Sequence, residues 1–191
     1  NVLVKDEKTL YVLKPDGQVE GKFPAKTLQH PVAMCIDRKG RLMITDWMTG
    51  CVHVFNMDGV EVKKFINNLE APAYITTSPA GNSIVLSDWK QNIIRMYDEQ
   101  GRTTWQYTGS AETNSRLNHP YGVCADRFGH VLIADNWNNR IHMLNGDGSF
   151  MHYLLTKDDG LNFPQALATD SKGRLVVAEI QGQIKIYQYI A

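Results

Sequence analysis

The chain has 191 residues, 43% of them hydrophobic and 21% charged, enough to bury a hydrophobic core. Lysine plus arginine and aspartate plus glutamate both total 20, and this zero formal charge excludes a global pull toward nucleic acid or anionic lipid, though a local patch remains open. Three cysteines without a C-x-x-C pair indicate neither a disulfide framework nor a zinc knuckle, and no apolar run approaches the ~18 residues a membrane helix needs.

In chain order, the first stretch, NVLVKDEKTLYVL, lacks the charged-then-apolar plan of a signal peptide and has no initiator Met; it reads as the start of a piece cut from something longer. Val2–Val4, Leu10–Leu13 and Gln18–Phe23 are predicted strands, with an Asp16-Gly17 turn, and make a partial blade over residues 1–24. The next unit, 30–66, opens at Pro31 with a small apolar strand. The Arg38-Lys39-Gly40 turn leads to Leu42–Thr45, a polar loop to Val52–Phe55, and Asp58-Gly59 to Glu61–Phe65. The same plan recurs over 71–107, 119–155 and 163–191, the last stopping after a third strand, Ile184–Tyr187.

The register is carried by single residues. Pro31, Pro72, Pro120 and Pro164 are spaced by 41, 48 and 44 residues. The turn glycines Gly40, Gly81, Gly129 and Gly173 follow at matching places, as do the acids Asp46, Asp88, Asp135 and Glu179 within one residue. A second turn glycine recurs at Gly59, Gly101 and Gly148, and the polar stretch Thr108–Leu117, which lengthens one spacing, is expected as a surface loop. Strand units of ~40–45 residues are what propeller blades require, because one small sheet cannot bury both faces until it packs between neighbours. The fold class is therefore all-β, a β-propeller of four-stranded antiparallel blades, with about four and a half blades in this chain. Eighteen strands fit part of a six-bladed ring whose beginning is missing; a closed smaller ring and an open arc that dimerises through its edges are the alternatives.

Cys35 and Cys124, four residues after Pro31 and Pro120, are expected as buried thiols on innermost strands, which suits a reducing, cytoplasmic compartment. The repeated acids admit a metal-site reading, but equal placement in every unit favours carboxylates that accept backbone N–H groups in their own loops. His30 and His119 share one slot before the proline, and the other histidines lack ligand spacing. No nucleophile motif or phosphate loop is present, so no catalytic residue, metal or cofactor is expected. Trp47, Trp89 and Trp137 lie one or two residues beyond the acids and are expected on one rim, with Tyr74 and Tyr121 beside them and Lys90, Asn138 and Arg140 as polar neighbours. Such a face suits a protein partner, or single-stranded or hairpin RNA whose bases stack on the rings. The rim also mixes Lys26, Arg116 and Lys157 with Glu70, Glu112, Asp158 and Asp159, and phosphate binding wants a clearer positive excess. A protein partner is therefore the first expectation and RNA the second. The alternative for the tryptophans is ordinary packing between blades.

The stretch Asn118–Leu144, NHPYGVCADRFGHVLIADNWNNRIHML, resembles the NHL repeat: a proline, a small apolar strand, Asp-x-x-Gly, a strand ending in Asp, then Asn-Arg-Ile. The end of the chain, from Gly173 to Tyr189, resembles the C-terminus of tripartite-motif (TRIM) NHL proteins. That resemblance implies a non-catalytic propeller that selects a protein substrate or adaptor, or RNA, for a RING-type ubiquitin ligase whose chemistry lies elsewhere. Two departures stand out: Ser87-Asp88-Trp89-Lys90 is followed by no Arg-Ile element in register, and Glu179 replaces Asp.

Overall fold

The computed structural model describes residues 2–6, 9–24, 26–66, 69–78 and 83–189. Gly81 lies outside the described residues, as do residues 1, 190 and 191 at the ends of the first and last predicted units. The first sheet holds β1 (Val2–Asp6), β2 (Thr9–Leu13) and β3 (Val19–Pro24). Three four-stranded antiparallel sheets follow. The second sheet has β4 (Pro31–Ile36), β5 (Leu42–Asp46), β6 (Cys51–Phe55) and β7 (Glu61–Ile66). The third has β8 (Pro72–Thr77), β9 (Ile84–Asp88), β10 (Ile93–Tyr97) and β11 (Thr103–Tyr107). A two-stranded ribbon, β12 (Gly109–Ser110) with β13 (Ser115–Arg116), precedes the fourth sheet. That sheet has β14 (Pro120–Ala125), β15 (Val131–Asp135), β16 (Arg140–Leu144) and β17 (Phe150–Leu155). The last has β18 (Pro164–Thr169), β19 (Leu175–Glu179) and β20 (Ile184–Tyr187). Each strand pairs with its sequence neighbour, and β4, β8, β14 and β18 lie side by side on the inside. The sheets are successive blades of a β-propeller.

Strands buried on both faces are mostly apolar, and β5, β6, β9 and β15 are buried throughout, with their few polar residues hydrogen-bonded. Four clusters fill the spaces between consecutive sheets. Leu10 meets Leu42, Ile44 and Phe55, and Val52 and Val54 meet Ile75 and Leu86. Ile94 and Met96 meet Val131 and Leu144, and Ile141 and Met143 meet Leu175 and Val177. Each fully buried aliphatic side chain contributes about 1.5–3 kcal/mol. Ile184 and Ile186 of β20, the counterparts of Ile141 and Met143, are 70% and 54% exposed.

The innermost strands bulge just after each proline, between Pro31 and Met34, Pro72 and Ile75, and Pro120 and Val123. A bulge leaves an amide unpaired, and a buried amide needs a partner. In the second sheet Ala33 N donates to Thr45 Oγ1 at 3.0 Å, and that hydroxyl donates onward to Ala73 O of the third sheet at 2.6 Å. Ser87 repeats the stitch, accepting from Tyr74 N at 3.0 Å and donating to Tyr121 O at 2.6 Å. Ala134 has no hydroxyl for the next junction; there Asn136 Nδ2 donates to Pro164 O at 2.9 Å. At the same junction Gly122 lets the backbones close in, since a Cβ would stand 2.9 Å from Ala166 Cα.

The loop expected over Thr108–Leu117 is instead the β12–β13 ribbon, and Leu117 is buried in the cluster between the third and fourth blades. The fourth tryptophan, Trp105 of β11, donates from Nε1 to Gly146 O at 3.1 Å and packs between those same two blades.

The hydroxyl stitches make a direct prediction. Thr45→Val or Ser87→Ala leaves one amide and one carbonyl unpaired at the bulge, and each is expected to cost about 1–3 kcal/mol of unfolding free energy, read as a lowered urea midpoint. An unchanged midpoint in both variants would show that the hydroxyls do not hold adjacent blades together.

Candidate recognition rim

Each second strand ends in a buried acid, and a buried charge demands partners. Asp46 accepts from Met48 N and Thr49 N of its own loop, both at 3.1 Å. It also accepts from Gln29 N at 2.6 Å and His30 N at 3.1 Å in the connection entering the blade. Asp88 takes Glu70 N and Ala71 N at 3.0 and 3.1 Å, Asp135 takes Asn118 N at 2.7 Å, and Glu179 takes Asn162 N at 2.8 Å. These acids tie each blade's loop to its incoming connection, a wider job than holding their own turns. Among the described residues, no three His, Cys, Asp or Glu side chains are grouped to hold a metal ion.

At two junctions an asparagine adds a latch. Asn92 and Asn139 have left-handed φ of 54° and 52°, which asparagine tolerates better than most residues. Asn92 Oδ1 accepts from His119 N at 2.7 Å, and Asn139 Oδ1 accepts from Phe163 N at 2.7 Å. His119 and Phe163 are themselves left-handed, at φ 52° and 48°. The corresponding residue between the second and third blades is Gly50 at φ 60°, where a Cβ would run into Leu69 O.

The acids and latches set the aromatic side chains. Trp137 stacks on His119 at 3.8 Å between centroids and 6° between planes. His119 stacks in turn on Trp89 at 5.5 Å, and Trp89 on Tyr121 at 6.3 Å. Trp137, His119, Trp89 and Tyr121 thus form one ladder across the junction of the third and fourth blades. His30 meets Trp47 edge-on at 5.2 Å in the second blade. Trp137 is 55% exposed and Trp47 38%, whereas Trp89 and Tyr121 are partly covered by their neighbours. Tyr74 is half-buried and lines the central cavity with Cys35 and Cys124. All three cysteines are free, and burial pushes the Cys35 and Cys124 thiols up to about 12, with Asp37 and Asp126 adding to the effect.

The polar neighbours divide. Lys90 is exposed, 3.7 Å from Glu70. Arg140 is drawn inward: Nε donates to Asp135 Oδ2 at 2.7 Å, Nη2 to Arg116 O at 3.2 Å, and the guanidinium lies 4.5 Å over the Tyr153 ring. Asn138 Nδ2 likewise donates to Asp135 Oδ2 at 2.8 Å and Arg116 O at 3.0 Å. On the opposite rim Arg41 pairs with Asp37 and Arg174 with Asp170 in their own turns, and Lys39 reaches Glu99 of the next blade.

Beneath Trp137 runs a buried polar chain that residue spacing does not disclose. His142 lies 2.7 Å from Tyr107 Oη through Nδ1 and 3.0 Å from Asp135 Oδ2 through Nε2. Burial depresses the His142 pKa against the pull of Asp135. Burial works to raise the Asp135 carboxyl, but hydrogen bonds from His142, the Asn118 amide and Asn138 hold it below the usual range. Burial also raises the Tyr107 phenol. The consistent assignment is a neutral imidazole that accepts from Tyr107 O–H at Nδ1 and donates from Nε2 to the Asp135 carboxylate. The histidine, asparagine and phenylalanine roles were all missed by periodicity; the one available signal was an asparagine four residues after the acid in two repeats.

The NHL repeat model matches residues 117–143. E3 ubiquitin-protein ligase TRIM56 of Mus musculus is 29% identical over 189 residues, covering 94% of this chain and 24% of that protein. The chain therefore spans about a quarter of that relative's length. NHL-repeat-containing protein 4 of Mus musculus is 29% identical over 125 residues, which cover 64% of this chain and 85% of that protein. Among solved structures, the nidogen/laminin complex aligns with a TM-score of 0.75 at 17% identity, covering 98% of this chain and 78% of that one. Virginiamycin B lyase from Staphylococcus aureus aligns with a TM-score of 0.70 at 16% identity, over 95% of this chain and 63% of that one. Those two structures share the propeller fold. The repeat model marks residues 117–143 as an NHL repeat, and the β-propeller is similar over nearly its whole length to the NHL region of TRIM ubiquitin ligases.

The buried chain predicts a pH dependence. His142 and Asp135 both have depressed pKa values in the folded state, so each stabilises above its unfolded value and loses that contribution as pH falls. The histidine loss begins near its ordinary value of 6.5, so the urea midpoint is expected to drop between about pH 7 and pH 5. His142→Gln can replace both hydrogen bonds without titrating, and is expected to flatten that slope while costing about 1–3 kcal/mol at neutral pH. An identical pH slope in wild type and variant would locate the titration elsewhere.

Proposed function

We propose that this NHL-repeat β-propeller is a non-catalytic recognition module that docks a protein substrate or adaptor on its aromatic rim. Trp47, Trp89, Trp137 and Tyr121 supply the contact area, with Lys90 at the edge. Asn138 and Arg140 hold that surface from beneath, while Tyr74 lines the central cavity beside it. The observation that carries this reading is the Trp137–His119–Trp89–Tyr121 ladder, rigid aromatic area in which exposed Trp137 is fixed by stacking. Rings held this way lose little conformational freedom on binding, so more of their contact energy appears as affinity. The similarity to TRIM56, named an E3 ubiquitin-protein ligase, supports a place in a longer protein whose ligase chemistry lies outside this propeller. Three free thiols suit a reducing, cytoplasmic setting.

RNA is the second reading, because bases also stack on such rings. The rim's charge argues against it: Arg140 is neutralised by Asp135, and Lys90 lies beside Glu70.

The test is selection of a displayed peptide library against the wild-type protein, with counter-selection on Trp89→Ala/Trp137→Ala. Enriched peptides are expected to bind with micromolar Kd and to lose about tenfold or more in the folded double variant. Enrichment indifferent to both rings would move the docking face elsewhere. Salt-steep binding of a random single-stranded RNA pool, lost in the same variant, would give the rim to RNA instead.

A further inference from the structure

The ladder is closed at one junction and open at the next. Between the third and fourth blades, the residue before the proline is His119, latched by Asn92, and its ring packs against Trp89 and Trp137. Between the fourth and fifth blades the equivalent residue is Phe163, latched by Asn139 in the same left-handed conformation. Among the described residues Phe163 has no ring contact, and His119 is the only ring packed on Trp137. Trp137 is 55% exposed, Phe163 37%, and Ile180 in the neighbouring loop 57%. Their backbones are nonetheless fixed, since Asn139 lies two residues after Trp137 and accepts the Phe163 amide, and Ile180 N donates to Phe163 O at 3.1 Å.

We infer that Trp137 and Phe163 form the open end of the ladder and receive one aromatic side chain from a partner segment that carries a basic residue beside it. This rests on the rim being the docking face. The aromatic preference follows from the closed junction, where His119, the residue matching Phe163, has its ring stacked against two tryptophans. The basic neighbour follows from charge. The connection leading to Phe163 is a 3-10 turn, Lys157–Asp159, exposing two carboxylates against one ammonium. Asp158 has no side-chain hydrogen bond or ion pair among the described residues, while Asp159 caps Thr156. The neighbouring cations are spent internally, Arg140 of the fourth blade on Asp135 and Lys185 on Glu179 and Gly160 O. A phosphate here would meet carboxylates, whereas a guanidinium would be attracted to them.

The experiment is a titration of the whole chain by heteronuclear NMR, following the indole Nε1–H signals, with acetyl-Gly-Arg-Tyr-Arg-Gly-amide. Controls replace Tyr by Ala or both Arg by Glu, and octauridine serves as the nucleic-acid probe. The Trp137 signal is expected to move with the Arg-Tyr-Arg peptide and much less with either control peptide. Affinity is expected to fall about fivefold to tenfold in Phe163→Ala. Asp158→Asn should narrow the gap between the Arg and Glu peptides. If Phe163→Ala loses signal dispersion, Phe163→Leu removes the ring while keeping apolar volume. Shifts confined to Trp47 or Trp89, indifferent to Phe163, would overturn this inference and leave rim docking standing. Stronger movement of Trp137 by octauridine would assign the slot to a nucleobase. No indole movement with any probe at about millimolar concentration would also overturn it, and the library selection would separately decide the wider reading.

Discussion

The structure depends on one constraint: a carboxylate buried at the end of each second strand must be satisfied, and the nearest donors belong to the segment arriving from the previous blade. Asp46, Asp88, Asp135 and Glu179 each bind one or two amides of that segment. An uncompensated buried charge costs more than any single contact can return, so the connection is held where the amides meet the acid. That bond fixes the residue before each proline relative to the loop after each acid. The rim is made from those two places, and the closeness of His30 to Trp47 and of His119 to Trp89 and Trp137 follows from it.

A repeated constraint would give identical junctions, and substitutions around it make them differ. Thr45 and Ser87 stitch the inner strands with hydroxyls, while the next junction uses the Asn136 amide and the close approach allowed by Gly122. Gly50 takes the left-handed position that Asn92 and Asn139 occupy elsewhere, so the junction between the second and third blades has no side-chain latch. The middle of each third strand carries His53, Arg95, His142 or Lys185, and each finds a different partner. His53 sits between Thr49 and Glu61, Arg95 on Gln91, His142 between Tyr107 and Asp135, and Lys185 on Glu179. The blades share a backbone plan and differ in polar interior, which is how a repeat can carry one specialised face.

The backbone plan was legible in the sequence because strand burial and turn chemistry are local. Proline, Asp-x-x-Gly and the terminal acid recur in register, and the fifteen strands of the second to fourth blades and the last sheet, β4 to β11 and β14 to β20, begin within two residues of where the pattern puts them or follow it by repetition. The side-chain assignments were less legible because they are made across blades. Arg140 and Asn138 follow Trp137 and read as rim groups, yet the pull of buried Asp135 turns both inward. His119 reads as a repeat residue, and only the Asn92 latch places its ring between two tryptophans. The β12–β13 ribbon escaped because a two-residue strand of Gly and Ser carries no alternation; Leu117, the apolar residue of that stretch, marks where it returns to the core.

Rigidity also explains why the rim is a better candidate for docking than the other exposed apolar surface, the outer face of the last sheet. Ile184 is more exposed than Trp137 and Ile186 about equally so, but they belong to a strand whose counterparts in other blades are covered by a neighbouring sheet. Their exposure follows from the repeat's own packing rule and says nothing of a specific partner. Trp137 has already satisfied its packing on one side and still presents its other side to solvent, held by a stack and a backbone latch that need no partner. A surface that is apolar, exposed and already ordered meets a ligand without first losing entropy. That combination, rather than exposure alone, distinguishes the rim.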